Sequence, residues 1–350
     1  MSRIITLGEI MGRLTAPGSK RLVQAMPGTL DVTFAGAEAN VAVSIAMLGG
    51  EAAFVTALPD HAVADAVVAN LHSAGVDTRL ILRTAEGRLG LFYHEAGINQ
   101  RSGNVIYDRT GSSMAITPPE AYDWQAVFAG AGWLHLSGIT PAISATAADV
   151  ALRAAKEAAE RGLPVSCDMN FRSKLWQWDR SLPPAQLAAR TMQQLLPFVT
   201  VFLGGREDAA LLLDIQEEDF AAMARRIVAK WPRLTHVATT MRNTAGVNQL
   251  WSGSLYDAAK DRCFFAPLNG GQPEPYLIAS VVDRLGTGDA FAAGLIHALT
   301  TPELSPPQTA LEFAVAASCL AHSIEGDFNF TTRAEVEALM RGDGGGRVNR

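Results

Sequence analysis

The chemistry in this chain gathers at Gly286-Thr287-Gly288-Asp289. The glycines leave backbone N–H groups unobstructed, and the aspartate stands where a helix must begin. Ala290 to Ile296 is apolar almost all round, so that helix should lie in the core. The amino end of a buried helix offers unpaired N–H groups and about half a positive charge, which suits a phosphoryl group. An aspartate beside such an anion hole can take the proton of an attacking hydroxyl. The helix end should also lower the pKa of Asp289. A plain turn capped by Asp289 is the alternative.

Spacing removes two other phosphate chemistries. A dinucleotide-binding loop needs a third glycine where Phe291 stands, and a Walker loop needs a Gly-Lys pair that the chain lacks. Further polar groups cluster elsewhere. Glu38 and Asn40 flank the bare backbone of Gly36-Ala37, as a packing face or as a sugar site. Arg109, near Tyr107, is either a surface arginine or the partner of an anionic substrate group. Asp168, Asn170 and Arg172 follow an apolar strand. They form a capping cluster, or Arg172 bridges a substrate carboxylate and the migrating phosphate. Ser318 and His322 either line a base or pack.

The elements that must position these groups follow from periodicity. Residues 3–7, 52–58, 133–137, 164–168, 199–203 and 234–241 read as apolar strands. A helix starts between Glu38 and Asn40 and stops at Gly49-Gly50, and others fall at 62–73, 145–161, 184–196, 206–213 and 306–324. The expected buried stripes are Val41, Ile45 and Leu48 on the first helix and Val63, Val67 and Leu71 on the second. Strands alternating with helices predict an α/β fold: a mainly parallel central sheet with helices on both faces, and ligands beyond the strands' carboxyl ends. Those ends carry Ser137, Asp168, Asn170, Arg172, Gly204 and Glu207. Residues 90–95 and 104–108 predict a hairpin that joins 30–35 in a small separate sheet. Its Leu91 and Val105 lack a covering helix in the nearby sequence. Residues 247–251 and 262–265 should add strands, 268–275 a loop and 341–350 a disordered tail.

Hydrophobic residues make up 48% of the 350, ample for a core, and the net charge of −6 gives no reason to expect nucleic acid as a partner. No apolar run approaches a membrane span, and the amino terminus lacks the pattern of a signal peptide. Cys167, Cys263 and Cys319 are odd in number and lack metal-ligand spacing. A soluble cytoplasmic protein with no membrane partner is expected.

Asp283 through Asp289 resembles the carboxy-terminal signature of the ribokinase (phosphofructokinase-B type) carbohydrate kinases, Asp-Thr-Thr-Gly-Ala-Gly-Asp. Arg284, Leu285 and Thr287 depart from it. Gly36 to Asn40 resembles that family's amino-terminal signature. GEIMGRL, YDRTGS, LHLSGITPAIS, DMNFRSKLW and HSIEGDFN resemble the subgroup that phosphorylates 2-keto-3-deoxygluconate, over residues 8–329. The resemblance implies a ribokinase-like fold, a single kinase domain over 1–340, and a β-sheet lid drawn from 13–35 and 88–112 that pairs in a homodimer. It implies Asp289 as base, with Gly286, Thr287, Gly288 and Arg172 holding the migrating phosphoryl group. Gly36, Ala37, Glu38, Ala39, Asn40, Phe92, Tyr107, Arg109, Arg172 and Asp289 would contact a sugar acid, Phe92 standing where tyrosine is common. ATP would meet Asn170, Arg172, Gly204, Thr240, Arg242, Gly286, Gly288, Ser318 and His322. Gly204 replaces an asparagine of the family pattern, and Thr240 with Arg242 replaces a Lys-x-Gly. Mg²⁺ would be held by Glu207 through water and by Asp283; a need for a monovalent cation stays open. The implied activity is phosphorylation of the terminal hydroxyl of 2-keto-3-deoxygluconate. Fructokinase, ribokinase or nucleoside kinase activity and a non-catalytic sugar-acid sensor are the alternatives.

Overall fold

The computed structural model describes residues 2–245 and 248–343. Its ten-stranded sheet begins with a parallel run: Ile81–Thr84, Ala52–Pro59, Arg3–Leu7, Ala131–Ser137, Val165–Asp168, Val201–Leu203 and His236–Ala245. Asn248–Asp257 and Arg262–Ala266 then extend it antiparallel, and Tyr276–Ile278 pairs with the former.

Side chains alternate across this sheet into two cores. Ile4, Ala52 and Phe54 join one, while Ile5, Ala53 and Val55 join the other. Helices cover both faces, which is why the strands read as nearly continuous apolar runs. The first core takes the helices Ala37–Met47, Thr287–Leu299 and Pro307–Ala321; the second takes Ala145–Glu160, Pro184–Leu195 and Phe220–Lys230. Fully burying a side chain such as Phe54 or Phe313 contributes about 1.5–3 kcal/mol. The helix Thr287–Leu299 is fixed closely. A Cβ on Gly294 would stand 2.9 Å from the Cα of Ala314, so only glycine allows this approach between the two helices.

A four-stranded sheet stands apart, in the order Asp31–Ala35, Met11–Thr15, Gly90–Glu95, Asn104–Asp108. The hairpin has the bounds its alternation predicts. Phe92, Val105 and Tyr107 from this sheet line the cavity described below.

Three packing expectations need correction. Val63 is 54% exposed, and Ala64, Val67 and Leu71 form the buried face instead. Two steps of four residues drift by about 80° around a helix, so Val63 rotates out of the stripe. Val41, Ile45 and Leu48 are buried as expected, but the helix Ala37–Met47 is buried at every position from Glu38 through Ile45 rather than along that stripe alone, because the sheet and the helix Thr287–Leu299 enclose it. Leu91 packs on the first core and Val105 faces the cavity, so neither is the uncovered apolar surface of the lid. That surface is a row across all four strands, Leu14, Val32, Tyr93 and Ile106, on the face turned away from the cavity. Val247 and residues 344–350 lie outside the described residues. The segment 268–275 is an exposed two-strand ribbon rather than a plain loop.

Candidate active site

Two chambers meet at the carboxyl edge of the large sheet. The first, of about 210 Å³, is lined by Gly36, Ala37 and Asn40 on one side and by Phe92, Tyr107 and Arg109 from the lid on the other. Gly286, Thr287, Gly288 and Asp289 close it at the start of the buried helix. The second, of about 790 Å³, is lined by Gly204, Glu207, Asp208, Thr240, Arg242 and Asp168, among others. Asn170, Arg172 and Gly288 border both.

The junction is built for an anion. Gly286 has φ +78°, and the helix Thr287–Leu299 starts with no side chain capping its amides. Those N–H groups are therefore available between the chambers. Arg172 is exposed, and its one side-chain hydrogen bond among the described residues goes to the Phe171 carbonyl at 3.0 Å. Asn170 holds a left-handed backbone at φ +40°, a conformation asparagine tolerates, and donates its N–H to Asp168 Oδ1 at 3.1 Å.

Asp289 stands partly open to the first chamber and accepts a 2.6 Å hydrogen bond from Asn40 Nδ2. Asn40 is itself held by the Gly36 N–H, which donates to its Oδ1 at 3.2 Å. The expected lowering of the Asp289 pKa is reversed: it is raised to about 6. Enclosure dominates; the Asn40 hydrogen bond opposes it, nearby Asp327 adds to it and Arg172 opposes it. The pull of a helix end, about 0.3–1 kcal/mol at an exposed site, is too small to overcome desolvation here. Asp168 rises further, to about 8, first through burial and then through the carboxylates of Asp289 and Asp208.

Several expected contacts are not placed at the cavity. Glu38 is fully buried and turned away: its Oε1 accepts from the Ser137 N–H and hydroxyl and from the Thr140 hydroxyl. Burial lifts its pKa to about 7 against those hydrogen bonds. Ala39 is likewise enclosed, because consecutive helical residues point about 100° apart and only Ala37 and Asn40 reach the open side. Ser318 is buried and donates its hydroxyl to the Thr287 carbonyl at 2.7 Å, so it supports the anion-binding turn from behind rather than meeting a ligand. His322 lines neither chamber but a small recess beside them, with Trp251 and with Thr240 and Arg242, which also line the second chamber; it lies 2.9 Å from Gln249 Nε2. Asp283 is not free to bind a metal. Oδ1 accepts from the N–H groups of Arg284 and Leu285, and Oδ2 from Arg13 Nη2 at 2.6 Å and the Gly326 N–H at 3.3 Å.

Sequence reading missed Glu9, Arg13, Asp208, Arg284 and Asp327. Arg284 and Asp327 line the first chamber. Glu9 touches Arg109, and both are nearly fully buried. A carboxylate just past an apolar strand, at the edge where ligands gather, was the available signal for Glu9. Asp327 lies in the resembling segment HSIEGDFN and Arg13 in GEIMGRL, but nothing in either segment showed that the two pair across the chain.

The chain is similar to known proteins over most of its length. Residues 1–245 match the model of the pfkB family carbohydrate kinases. The 2-dehydro-3-deoxygalactonokinase of Haloferax volcanii is 30% identical over 99% of this chain and 98% of its own. A fructokinase of Klebsiella pneumoniae is 27% identical over 91% of each. The crystal structure of 2-dehydro-3-deoxygluconokinase from Thermotoga maritima is 34% identical, covers 97% of this chain and 100% of its own, and superposes with a TM-score of 0.87. With the family match over residues 1–245, and with an uncapped helix end at the junction of two chambers, the chain belongs to the pfkB family of carbohydrate kinases.

Proposed function

We propose that this chain transfers the γ-phosphoryl group of ATP to the terminal hydroxyl of 2-keto-3-deoxygluconate. The observation that carries the sugar-acid reading is Arg109. Its side chain is 7% exposed, faces the first chamber, and none of its guanidinium nitrogens meets a hydrogen-bond acceptor in good geometry. Glu9 touches it closely enough to compensate the charge without satisfying its donors. A sugar hydroxyl can take one of these open donors, whereas a carboxylate accepts from two of them in one plane and completes the fork. The names of the Haloferax and Thermotoga relatives support the same substrate class. The former also favours the galactonate epimer as a second reading.

In this reading the sugar enters between Asn40 and the lid, with its carboxylate toward Arg109 and its terminal hydroxyl beside Asp289. ATP lies in the larger chamber with its γ-phosphate at the Gly286 to Gly288 amides. The hydroxyl oxygen forms the new P–O bond, the bond to the β,γ-bridging oxygen breaks, ADP leaves, and Asp289 takes the proton. Arg172, at the border of both chambers, offsets charge on the migrating group. Among the described residues no cluster of three or more metal-ligating side chains exists. Mg²⁺ reaches kinases on phosphates and keeps several waters, so it needs no such cluster. Glu207 and Asp208 line the chamber where they would hold those waters, and Mg²⁺ would neutralise phosphate charge there.

The test is turnover of 2-keto-3-deoxygluconate, its galactonate epimer, fructose and ribose by one preparation. Equal or better turnover of fructose ends the sugar-acid reading. Arg109→Met is expected to raise KM for the sugar acid roughly tenfold to a hundredfold, from one lost charged hydrogen-bond pair, with KM for ATP nearly unchanged. An unaltered sugar KM removes Arg109 from recognition.

We further propose a homodimer through the lid. The row of Leu14, Val32, Tyr93 and Ile106 spans its outer face, with Val32 and Ile106 63% and 48% exposed. Light scattering of Ile106→Lys should give a monomer where the unaltered chain gives a dimer; unchanged masses would move the interface elsewhere.

A further inference from the structure

Arg13 sits in the lid strand Met11–Thr15 and is 3% exposed, yet its bonds reach out of the lid. Nη1 donates to Asp327 Oδ1 at 2.6 Å and Nη2 to Asp283 Oδ2 at 2.6 Å. Nε donates to Thr15 Oγ1 at 2.9 Å, and Nη2 also lies 2.9 Å from His94 Nδ1. Because arginine only donates, His94 must accept through Nδ1 and carry its proton on Nε2. Burial, then the neighbouring guanidinium, lower the His94 pKa, which keeps that ring neutral.

The two carboxylates are the sides of the anion-binding turn. Asp283 holds the amides of Arg284 and Leu285, the residues leading into Gly286. Asp327 presses its carbonyl on Gly286, where a Cβ would come within 2.0 Å of it. Neither carboxylate has another ion-pair partner among the described residues. One planar fork from the lid therefore joins two segments of the main body. Removing it would leave two carboxylates enclosed without a cation, and the turn between them would lose its registration.

We propose that Arg13 is a positioning residue for phosphoryl transfer, coupling the seated lid to the turn whose amides hold the migrating group. This rests on the kinase reading of the site but not on which sugar is bound. Arg13 touches neither chamber, so its effect passes through Asp283 and Asp327.

The test compares Arg13→Met and Arg13→Lys with the unaltered enzyme, using ATP and whichever sugar that enzyme turns over best. Arg13→Met is expected to lower kcat about tenfold to a hundredfold, as misplacement of a reacting group by about 1 Å does, with KM for ATP changed much less. Arg13→Lys keeps the charge but cannot bridge both carboxylates in one plane, so its kcat should fall in between. A lower melting temperature with kcat unchanged in both variants, assayed well below melting, would make Arg13 merely structural and overturn the proposal. Where Arg13→Met does not fold, Arg13→Lys decides alone: reduced kcat supports the coupling and unaltered kcat refutes it. Should fructose prove the better substrate, the sugar-acid reading falls while this comparison stands, run on fructose.

Discussion

Asp289→Asn is expected to lower kcat by about 10² to 10⁴-fold, the usual worth of a positioned proton acceptor, while KM for both substrates changes little. The amide keeps the size of the side chain and an oxygen for Asn40 but cannot accept the hydroxyl proton. Since Asp289 is partly open to the chamber, the exchange leaves no core cavity. The pH profile supplies a second readout. Enclosure raises the Asp289 pKa to about 6, so the base is charged and competent above that pH and is lost as pH falls through it. The kcat/KM profile of the unaltered enzyme should show an acid limb near pH 6. Asp327, whose charge acts on Asp289, is raised to about 6 mainly by its own burial, and Asp168, raised to about 8, is also coupled to Asp289, so the limb belongs to the group of carboxyls. An Asn variant with full kcat would exclude Asp289 as the base.

Gly286→Ala is expected to lower kcat at least about a hundredfold and to lower the melting temperature as well. Gly286 has φ +78°, which costs a residue with a side chain about 1–2 kcal/mol, and the new methyl would meet the Asp327 carbonyl at 2.0 Å. That oxygen is backbone, so the turn itself must move and take its amides out of line. Gly288→Ala is the control for stability: no atom stands within 4 Å of its Cβ position, so it should fold normally and lose activity only as far as the methyl crowds the phosphate. Kinetics and thermal melts on the two variants check this. A Gly286→Ala enzyme with ordinary kcat would show that the turn does not set the reaction geometry.

How much of this was legible beforehand depended on the range of the information. The apolar stretch after Asp289 announced a buried helix, and the alternation around Gly90–Glu95 and Asn104–Asp108 announced the hairpin. Both patterns are local, since a period of two or 3.6 residues is written into a short window. The large sheet followed from strands and helices in turn, for the same reason. Glu38 and Ser318 misled because polarity at a cavity edge does not say which way a side chain points. Glu38 found buried hydroxyl donors on Ser137 and Thr140, and Ser318 found a carbonyl behind the turn.

By itself the sequence determined the α/β layering, the strand edge where ligands gather, and an aspartate at the mouth of a buried helix. Tertiary structure decided the pairings: Arg109 with Glu9, and Arg13 with Asp283 and Asp327, the latter two 270 and 314 residues along the chain. A buried charge must find its counterpart wherever the packed fold brings one, and that proximity has no period or spacing in the sequence to reveal it.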